Sequence, residues 1–167
     1  GSGVFSIVYK AKDKETGEIY AAKISRSKLE TNAKSQIISI VREVNINGKI
    51  NHPSIAKFIG FSLKDFQGEP KPVIITEFLP NGSLANLIES ERKGCAEPRW
   101  NDTRKLIIIY GIASAMSFLH SNEIIHRDLK PDNILMDADL NPKITDFGLS
   151  KSDNNQSAVQ SLNGIKG

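Results

Sequence analysis

The segment His126-Arg127-Asp128-Leu129-Lys130-Pro131-Asp132-Asn133 is dense in groups that transfer protons or bind metal ions, and Asp146-Phe147-Gly148 follows it further along the chain. Asp128 precedes Asn133 within one short loop, which can offer a carboxylate to a hydroxyl proton and an amide oxygen to a metal ion. Such oxygens suit Mg²⁺, which keeps several waters and bridges to substrate phosphates. A charged loop is usually a solvated turn, but the order and spacing of these groups favour a catalytic site.

The chain opens on a glycine-rich segment, Gly1 to Val8, with the pattern G-x-G-x-x-S-x-V. Glycines let a strand–turn–strand backbone approach phosphates closely, with amide N–H groups pointing at the anion. Ser6 stands where a third glycine is expected. The pattern alone is therefore weak, and a flexible terminus that contains glycines is an equal alternative.

Lys23 ends the apolar segment Tyr20-Ala21-Ala22-Lys23. An ammonium group at the interior end of a strand must find a partner or stay in solvent, because burial of an unpaired charge is costly. Glu43 is the candidate partner, since it lies beside the apolar stripe of a predicted helix. Glu30 is a rival acid in a polar segment, and a solvated Lys23 without a role is the alternative.

The first half of the chain has the pattern of β-strands. Val4 to Tyr9 and Glu18 to Ile24 flank the turn residues 13–17 and predict an antiparallel pair. Apolar segments from Ile55 to Phe61 and from Val73 to Phe78 predict two more strands, separated by a polar surface loop.

Helical signals mark three segments. Ile37, Ile40, Val41 and Val44 have i, i+3, i+4, i+7 spacing, and Gly48 marks the end of that helix. Ser83 can cap a second helix after the turn at residues 80–82. Asn101 or Asp102 can cap a third helix that runs to about His120, with an apolar face formed by Leu106, Ile109, Ala113 and Met116.

The end of the chain returns to short strands. Residues 134–136 and 142–145 are joined by a turn, and the polar tail from Ser150 to Gly167 is predicted to be a loop. A β-rich part followed by a helical part predicts an α+β fold of two lobes, with a hinge near residues 78–82.

Composition excludes several classes of protein. Of 167 residues, 39% are hydrophobic and 25% are charged, which is ordinary for a globular domain. Lys and Arg number 22 against 19 for Asp and Glu, an excess too diffuse to indicate a nucleic-acid surface. The single cysteine, Cys95, excludes an internal disulfide and favours a cytoplasmic location. Gly111 and two serines interrupt the longest apolar segment, so no membrane span is predicted.

Together these motifs resemble those of the eukaryotic protein kinases. H-R-D-L-x-x-x-N is matched in full by His126 to Asn133, and D-F-G by Asp146 to Gly148. The glycine-rich loop is matched except at Ser6, and the V-A-I-K strand only at Ala21 and Lys23. The resemblance extends from the first residue to the last. It implies a bilobal protein-kinase fold, with the small lobe in residues 1–79 and the start of the larger lobe in residues 80–167.

The resemblance implies an ATP-dependent phosphotransferase and gives roles to its charged residues. Lys23 would hold the α- and β-phosphates of ATP and pair with Glu43. Asp128 would accept or orient the substrate hydroxyl, with Lys130 near the γ-phosphate. The metal ligands, for Mg²⁺ or Mn²⁺, would be Asn133 and Asp146.

The resemblance also implies which residues contact the nucleotide. Thr76 resembles the gatekeeper residue beside the adenine pocket. The other implied contacts are Gly1, Ser2 and Gly3 at the phosphates, the backbone of Glu77 and Leu79 at adenine, and Val8, Ala21 and Leu135 around the adenine ring.

The substrate class follows from the same resemblance. Lys130-Pro131 is typical of kinases that phosphorylate Ser or Thr in proteins, and the segment from Thr76 to Leu84 resembles the tyrosine-kinase-like group among them. Arg127 suggests regulation by a phosphate on the loop after Gly148. The candidate acceptors, which the sequence does not rank, are Ser150, Ser152, Ser157 and Ser161.

Two points depart from the family pattern. Asn47 lies where family members usually place an apolar residue against Phe147 and His126, and a polar group there could weaken the active position of the helix. The alternative is that its amide reaches solvent or a backbone group. The A-P-E motif expected after the activation loop does not occur before Gly167. We therefore expect an incomplete catalytic domain that is nearly inactive alone, and an ATP-binding scaffold or pseudokinase is the competing hypothesis.

Overall fold

The computed structural model describes residues 6–29 and 34–152, so Gly1, Ser2 and Gly3, and the rival acid Glu30, lie outside it. The elements are β1 (Ser6–Lys12), β2 (Ile19–Ser25), α1 (Lys34–Lys49), β3 (Phe58–Ser62), β4 (Val73–Glu77), α2 (Leu84–Arg92), α3 (Asp102–Ser121), β5 (Ile124–Ile125), β6 (Ile134–Met136), β7 (Pro142–Ile144) and β8 (Lys151–Ser152). The predicted mixed α+β architecture is confirmed.

Strands β1 to β4 form one antiparallel sheet in the order β1-β2-β4-β3. The β1–β2 turn forms as predicted, because the Asp13 carboxylate accepts the N–H groups of Glu15 and Thr16, each at 2.8 Å. Lys23 pairs with Ile74 across the sheet and Ala22 pairs with Ile75. Paired residues share a face, so Lys23 and Ala22 define the two opposite faces of the sheet.

The predicted first helix is present as α1 and ends at Lys49, one residue beyond Gly48. The strand predicted from Ile55 to Phe61 is wrong at its start, because β3 begins at Phe58. Ile55 instead makes an isolated parallel bridge with Ile144 and is 3% exposed. Its apolar character reflects burial in the core and not membership of the sheet.

The apolar face predicted for α3 is wrong. Leu106 and Ile109 are 68% and 62% exposed, whereas Ile108, Ala115 and Leu119 are buried. The helix carries apolar residues nearly all round its circumference, so their spacing does not identify the face that packs. Asn101 caps the helix, with its side chain accepting the N–H of Arg104.

The tail predicted as a loop contains one short strand. In β8, Lys151 pairs with Ile125 and Ser152 with Ile124 of β5. The two strands are far apart in the chain, so local composition did not reveal the pairing. Ser157 and Ser161 lie outside the described residues.

The core joins the two halves of the described chain. Its main cluster contains Ile46 from α1, Ile55, Ala115, Leu119, Ile124, Ile144 and Phe147. The backbone N–H of Ala56 donates to the Ile144 carbonyl, and the Ile144 N–H donates to the Ser54 carbonyl, each at 2.9 Å. The loop before β3 is thereby fixed to β7. Within residues 6–29 and 34–152, no helix has the length and apolar content needed to cross a membrane.

Candidate active site

Lys23 of β2 and Glu43 of α1 form the predicted ion pair. The Lys23 ammonium lies 3.0 Å from Oε1 of Glu43, and the two side chains are only 29% and 14% exposed. Glu43 is one helical turn from the buried Ile46, and this places its carboxylate on the side of α1 that faces the sheet. The contact therefore couples the position of α1 to the sheet.

Lys23 has a second partner that the sequence did not reveal. Its Nζ lies 2.7 Å from Oδ1 of Asp146, which we had considered only as a metal ligand. Burial tends to lower the pKa of Lys23, but attraction to Glu43 and Asp146 outweighs it, so this pKa lies above its ordinary value. Burial likewise tends to raise the pKa of Asp146, and the nearby Lys23 ammonium reverses the effect and lowers it.

Phe147 and His126 form the packed centre beneath these charges. Phe147 is 2% exposed and His126 is fully buried, with ring centroids 5.0 Å apart in an edge-on arrangement. Asn47 is also buried, and its side-chain amide donates to the Glu43 carbonyl at 2.8 Å. The polar side chain of Asn47 is thus accommodated by a hydrogen bond to the backbone, as the alternative interpretation of the sequence predicted.

His126 orients the loop that carries Asp128. Nδ1 of His126 accepts the backbone N–H of Asp128 at 3.3 Å, so Nε2 carries the proton and donates to the Thr145 carbonyl at 2.9 Å. The imidazole thereby links the loop around Asp128 to the segment that leads into Asp146.

Asp128 is held by two neighbours from its own loop. The Lys130 ammonium lies 2.8 Å from Oδ2 of Asp128, and the Asn133 amide donates to the same oxygen, also at 2.8 Å. These hydrogen bonds, from Lys130 first and then from Asn133, lower the pKa of Asp128. The Lys130 pKa is raised in turn by its hydrogen bond to Asp128. Asp128 is therefore a carboxylate at neutral pH.

Asn133 and Asp146 supply donors that fit a hydrated magnesium ion. Both amide hydrogens of Asn133 point at Asp128, to its carbonyl and its carboxylate, and this leaves the Asn133 Oδ1 as an acceptor. The Asp146 carboxylate is 44% exposed. In residues 6–29 and 34–152 there is no group of three or more His, Cys, Asp or Glu placed to hold a metal. Two oxygen ligands from the protein suit Mg²⁺ that takes its remaining ligands from phosphates and water.

The backbone is strained on both sides of the site. Arg127 has φ of 66° and Asp146 has φ of 64°, in the left-handed region that costs a non-glycine residue about 1–2 kcal/mol. Such residues cluster at functional sites. A Cβ at Gly148 would lie 3.3 Å from Oδ1 of Asp146 and 3.4 Å from Oε2 of Glu43.

The residues assigned to adenine lie together on the Lys23 face of the sheet. Ala21 pairs with Thr76 and Val8 pairs with Lys23, so all four share that face. Leu135 belongs to β6 and bridges to Ser83. This surface can accept a flat apolar ring.

The segment after β4 offers backbone groups beside that surface. Leu79 is buried, and its N–H makes no hydrogen bond with any residue in the described ranges. The Glu77 side chain is engaged elsewhere, because its Oε1 accepts the Lys57 N–H at 2.8 Å and the Lys143 ammonium at 3.0 Å. The contact between Glu77 and Lys143 was not predicted, because the two residues lie far apart in the chain.

Arg127 and Ser150, which were both proposed to take part in regulation, differ in their exposure to solvent. Arg127 is exposed, whereas Ser150 is 2% exposed and donates its hydroxyl to the His126 carbonyl. Ser150 is therefore a structural residue in this state and not an accessible phosphate acceptor.

Comparison with known proteins shows the family to which the chain belongs. The family model for the protein kinase domain matches residues 1–166. Human serine/threonine-protein kinase 10 is 35% identical over 90% of this chain, which spans 14% of that relative. The Arabidopsis thaliana G-type lectin S-receptor-like serine/threonine-protein kinase SD1-1 is 36% identical over 100% of the chain and 19% of its own length. The chain belongs to the protein kinase family, and its mixed α+β structure is part of a protein kinase domain.

Proposed function

We propose that the protein containing this chain transfers the γ-phosphoryl group of ATP to Ser or Thr hydroxyls of protein substrates. The observation that carries the proposal is the placement of Lys23 between Glu43 and Asp146, at 3.0 and 2.7 Å. The relatives named above as serine/threonine-protein kinases and the Lys130-Pro131 pair support this substrate class. Cys95 is a free thiol, which favours a reducing compartment, and we place the reaction in the cytoplasm.

The residues of the site would act mainly by positioning and by neutralising charge. Lys23, held by Glu43, would bind the α- and β-phosphates, and Val8, Ala21, Thr76 and Leu135 would enclose the adenine ring. The backbone carbonyl of Glu77 and the N–H of Leu79, which has no hydrogen-bond partner among residues 6–29 and 34–152, would complement the polar edge of adenine. Residues 1–3 would cover the phosphates through backbone N–H groups.

Asp128 would orient the attacking hydroxyl and receive its proton. Its lowered pKa makes it a weak base that is fully ionised at neutral pH, so orientation is its main contribution. The Lys130 ammonium already contacts the Asp128 carboxylate, and it would stay close to the γ-phosphoryl group during its transfer. In-line transfer demands little covalent chemistry from the protein, since positioning and electrostatics lower the barrier.

Asn133 and Asp146 would hold the divalent ion, which we propose to be Mg²⁺, with Mn²⁺ as a substitute. When bound, the metal would neutralise charge on the phosphates and fix their geometry. Lys23 and Asp146 are already in contact, so binding of phosphate and metal would replace part of an existing ion pair.

The test is Asp128→Asn in the protein that contains this chain, measured with a basic protein substrate and [γ-³²P]ATP. We expect kcat to fall by at least about 100-fold, the cost of losing one oriented charge in a preorganised site. Asp139→Asn is the matched control, because Asp139 lies exposed in the β6–β7 turn and should leave kcat unchanged. Equal activity of the two variants would contradict the proposal.

Measurements on the unsubstituted protein distinguish a kinase from a scaffold that binds ATP without turnover. A thermal shift with Mg²⁺-ATP but no phosphate transfer would replace the kinase proposal by the scaffold. We also expect the 167-residue chain, assayed alone, to be nearly inactive, and robust turnover by it would contradict that expectation.

A further inference from the structure

Lys10 of β1 contacts the segment that we propose to bind adenine. Its ammonium nitrogen lies 4.9 Å from the centroid of the Phe78 ring. A cation within about 6 Å of the centre of an aromatic face is attracted by the electrons of the ring. Phe78 directly follows β4, which ends at Glu77. The contact therefore joins β1 to residues 77–79.

The Lys10 side chain lies on the same face of the sheet as Lys23. Lys10 pairs with Ala21 and Val8 pairs with Lys23, and this places Lys10 and Val8 together on that face. Val8 is one of the residues that we propose to enclose the adenine ring. The Lys10–Phe78 contact thus lies two residues from the part of β1 that would cover the nucleotide.

The sheet holds β1 from one side. In the strand order β1-β2-β4-β3, β1 is an edge strand, and β2 separates it from β4. The backbone pairing of β1 is with β2, from Ser6 to Lys12. The side chain of Lys10 therefore makes a direct link between the edge of the sheet and residues 77–79, which the backbone pairing does not provide.

Residues 77–79 are held separately on the opposite face of the sheet. Glu77 pairs with Tyr20, so its side chain lies on the face away from Lys10. There its Oε1 accepts the Lys57 N–H and the Lys143 ammonium. The Glu77 contacts connect this segment to the helical part of the molecule, whereas Lys10 connects it to the strand that would cover the nucleotide.

We propose that Lys10 is a positioning residue for the nucleotide, because its contact with Phe78 holds Val8 and β1 over the adenine pocket before ATP binds. The inference rests on the proposed kinase function. A preformed pocket spares the ligand the entropy cost of ordering its walls. The ion pairs of Lys23 and Asp128 do not involve Lys10. The contact should therefore strengthen ATP binding without changing the rate of phosphate transfer.

The experiment titrates the protein that contains this chain with Mg²⁺-ATP and, separately, with adenosine, by isothermal titration calorimetry. Lys10→Met removes the charge and should raise Kd for both ligands by about two- to fivefold, the loss of one exposed cation–π contact, with kcat unchanged. Lys10→Arg keeps a cation over the ring and should restore both affinities. Lys12→Met is the matched control and should bind normally. Lys12 lies on the same strand and face, and its ammonium contacts no aromatic ring among residues 6–29 and 34–152.

Phe78→Leu identifies the partner of Lys10. Adding Lys10→Met to Phe78→Leu should weaken ATP binding no further, because the contact is already lost, and additive losses would overturn the inference. A loss for ATP without one for adenosine would assign Lys10 to the phosphates and would also overturn it, as would normal ATP binding by Lys10→Met. No ATP binding by the unsubstituted protein would contradict the proposed function, and this inference with it, so the two failures are distinguishable.

Discussion

Lys23 neutralises two carboxylates from distant parts of the chain, Glu43 on α1 and Asp146 before Phe147. Burial by itself would favour the neutral forms of Lys23 and Asp146. Because the contacts are mutual, Lys23 and Asp146 both remain charged near neutral pH. The position of one ammonium group therefore controls the ionisation of the metal-binding carboxylate that we propose at Asp146.

Lys23→Met should raise the pKa of Asp146, since burial would then be opposed by the hydrogen bond from the Gly148 backbone but no longer by the Lys23 ammonium. The change is measurable by ¹³C NMR titration of the aspartate carboxyls. We also expect phosphate transfer to fall by at least about 100-fold. Lys57→Met is the control, because the Lys57 side chain is exposed, and it should leave the Asp146 titration unchanged. An unshifted Asp146 in Lys23→Met would show that the ion pair does not set this pKa.

The same pair predicts how stability depends on pH. Lys23 has a raised pKa in the folded protein, so its contribution is complete below its ordinary pKa of 10.5 and is lost as pH rises through the folded value. Asp146 has a lowered pKa, so its contribution is present above 3.8 and is lost as pH falls through the folded value. The free energy of unfolding of the unsubstituted protein exceeds that of Lys23→Met by an amount that should be constant between these two pH limits. That excess should become smaller below the lower limit and above the upper one.

At the residue scale, the sequence predicted the Lys23–Glu43 ion pair, because a lysine in an apolar strand needs an acidic partner. It did not predict the contacts that depend on how distant elements pack. An apolar strand that ends in a lysine requires an acid, and Glu43 beside a helical stripe was a sufficient candidate. Asp146 and Lys143 each satisfy a side chain that is far away in the chain. No local pattern encodes those contacts, because they depend on how the elements pack.

The same limit of sequence-based prediction applies to the helices. The caps at Ser83 and Asn101 were predictable because a side chain satisfies N–H groups three residues ahead. The packed face of α3 was not, because Leu106 and Ile109 are as apolar as the buried Ile108 and Leu119. Periodicity identifies a face only when the opposite face is polar.

Gly111 shows what decides the packing of α3. A Cβ at this position would lie 2.7 Å from Cγ of Pro142 and 2.9 Å from Oγ of Ser54. The glycine lets the helix backbone approach β7 and the loop before β3. A larger residue would have to push apart contacts of the main core.

Gly111→Ala should therefore lower the free energy of unfolding by about 1–2 kcal/mol, although alanine is the better helix former. Gly48→Ala is the matched control within α1, where a Cβ would meet nothing within 4 Å. That variant should leave stability unchanged or raise it by up to about 1 kcal/mol. Urea denaturation measures both, and equal stability of the two variants would contradict the close packing at Gly111.

For the molecule as a whole, polar contacts beside the main core also join the sheet to the helical part. The loop before β3 is hydrogen-bonded to β7 through Ala56, Ser54 and Ile144. Beside it, Glu77 at the end of β4 accepts both the Lys57 N–H and the ammonium of Lys143 on β7. These contacts fix the segment that we propose to bind adenine.

Lys143→Met tests whether this connection supports nucleotide binding. Lys143 and Glu77 are only 16% and 28% exposed, and losing a hydrogen bond to a charged group at such a site should cost about 1.5 kcal/mol of stability. Because Glu77 then loses one of its two restraints, we expect KM for ATP to rise more than kcat falls. Lys93→Met removes an exposed ion pair with Glu89 and should change stability by less than about 0.5 kcal/mol, with KM unaltered. If Lys143→Met behaves like Lys93→Met in both measurements, the two parts of the molecule are held together by the core around Ile144 and Phe147 and not by this ion pair.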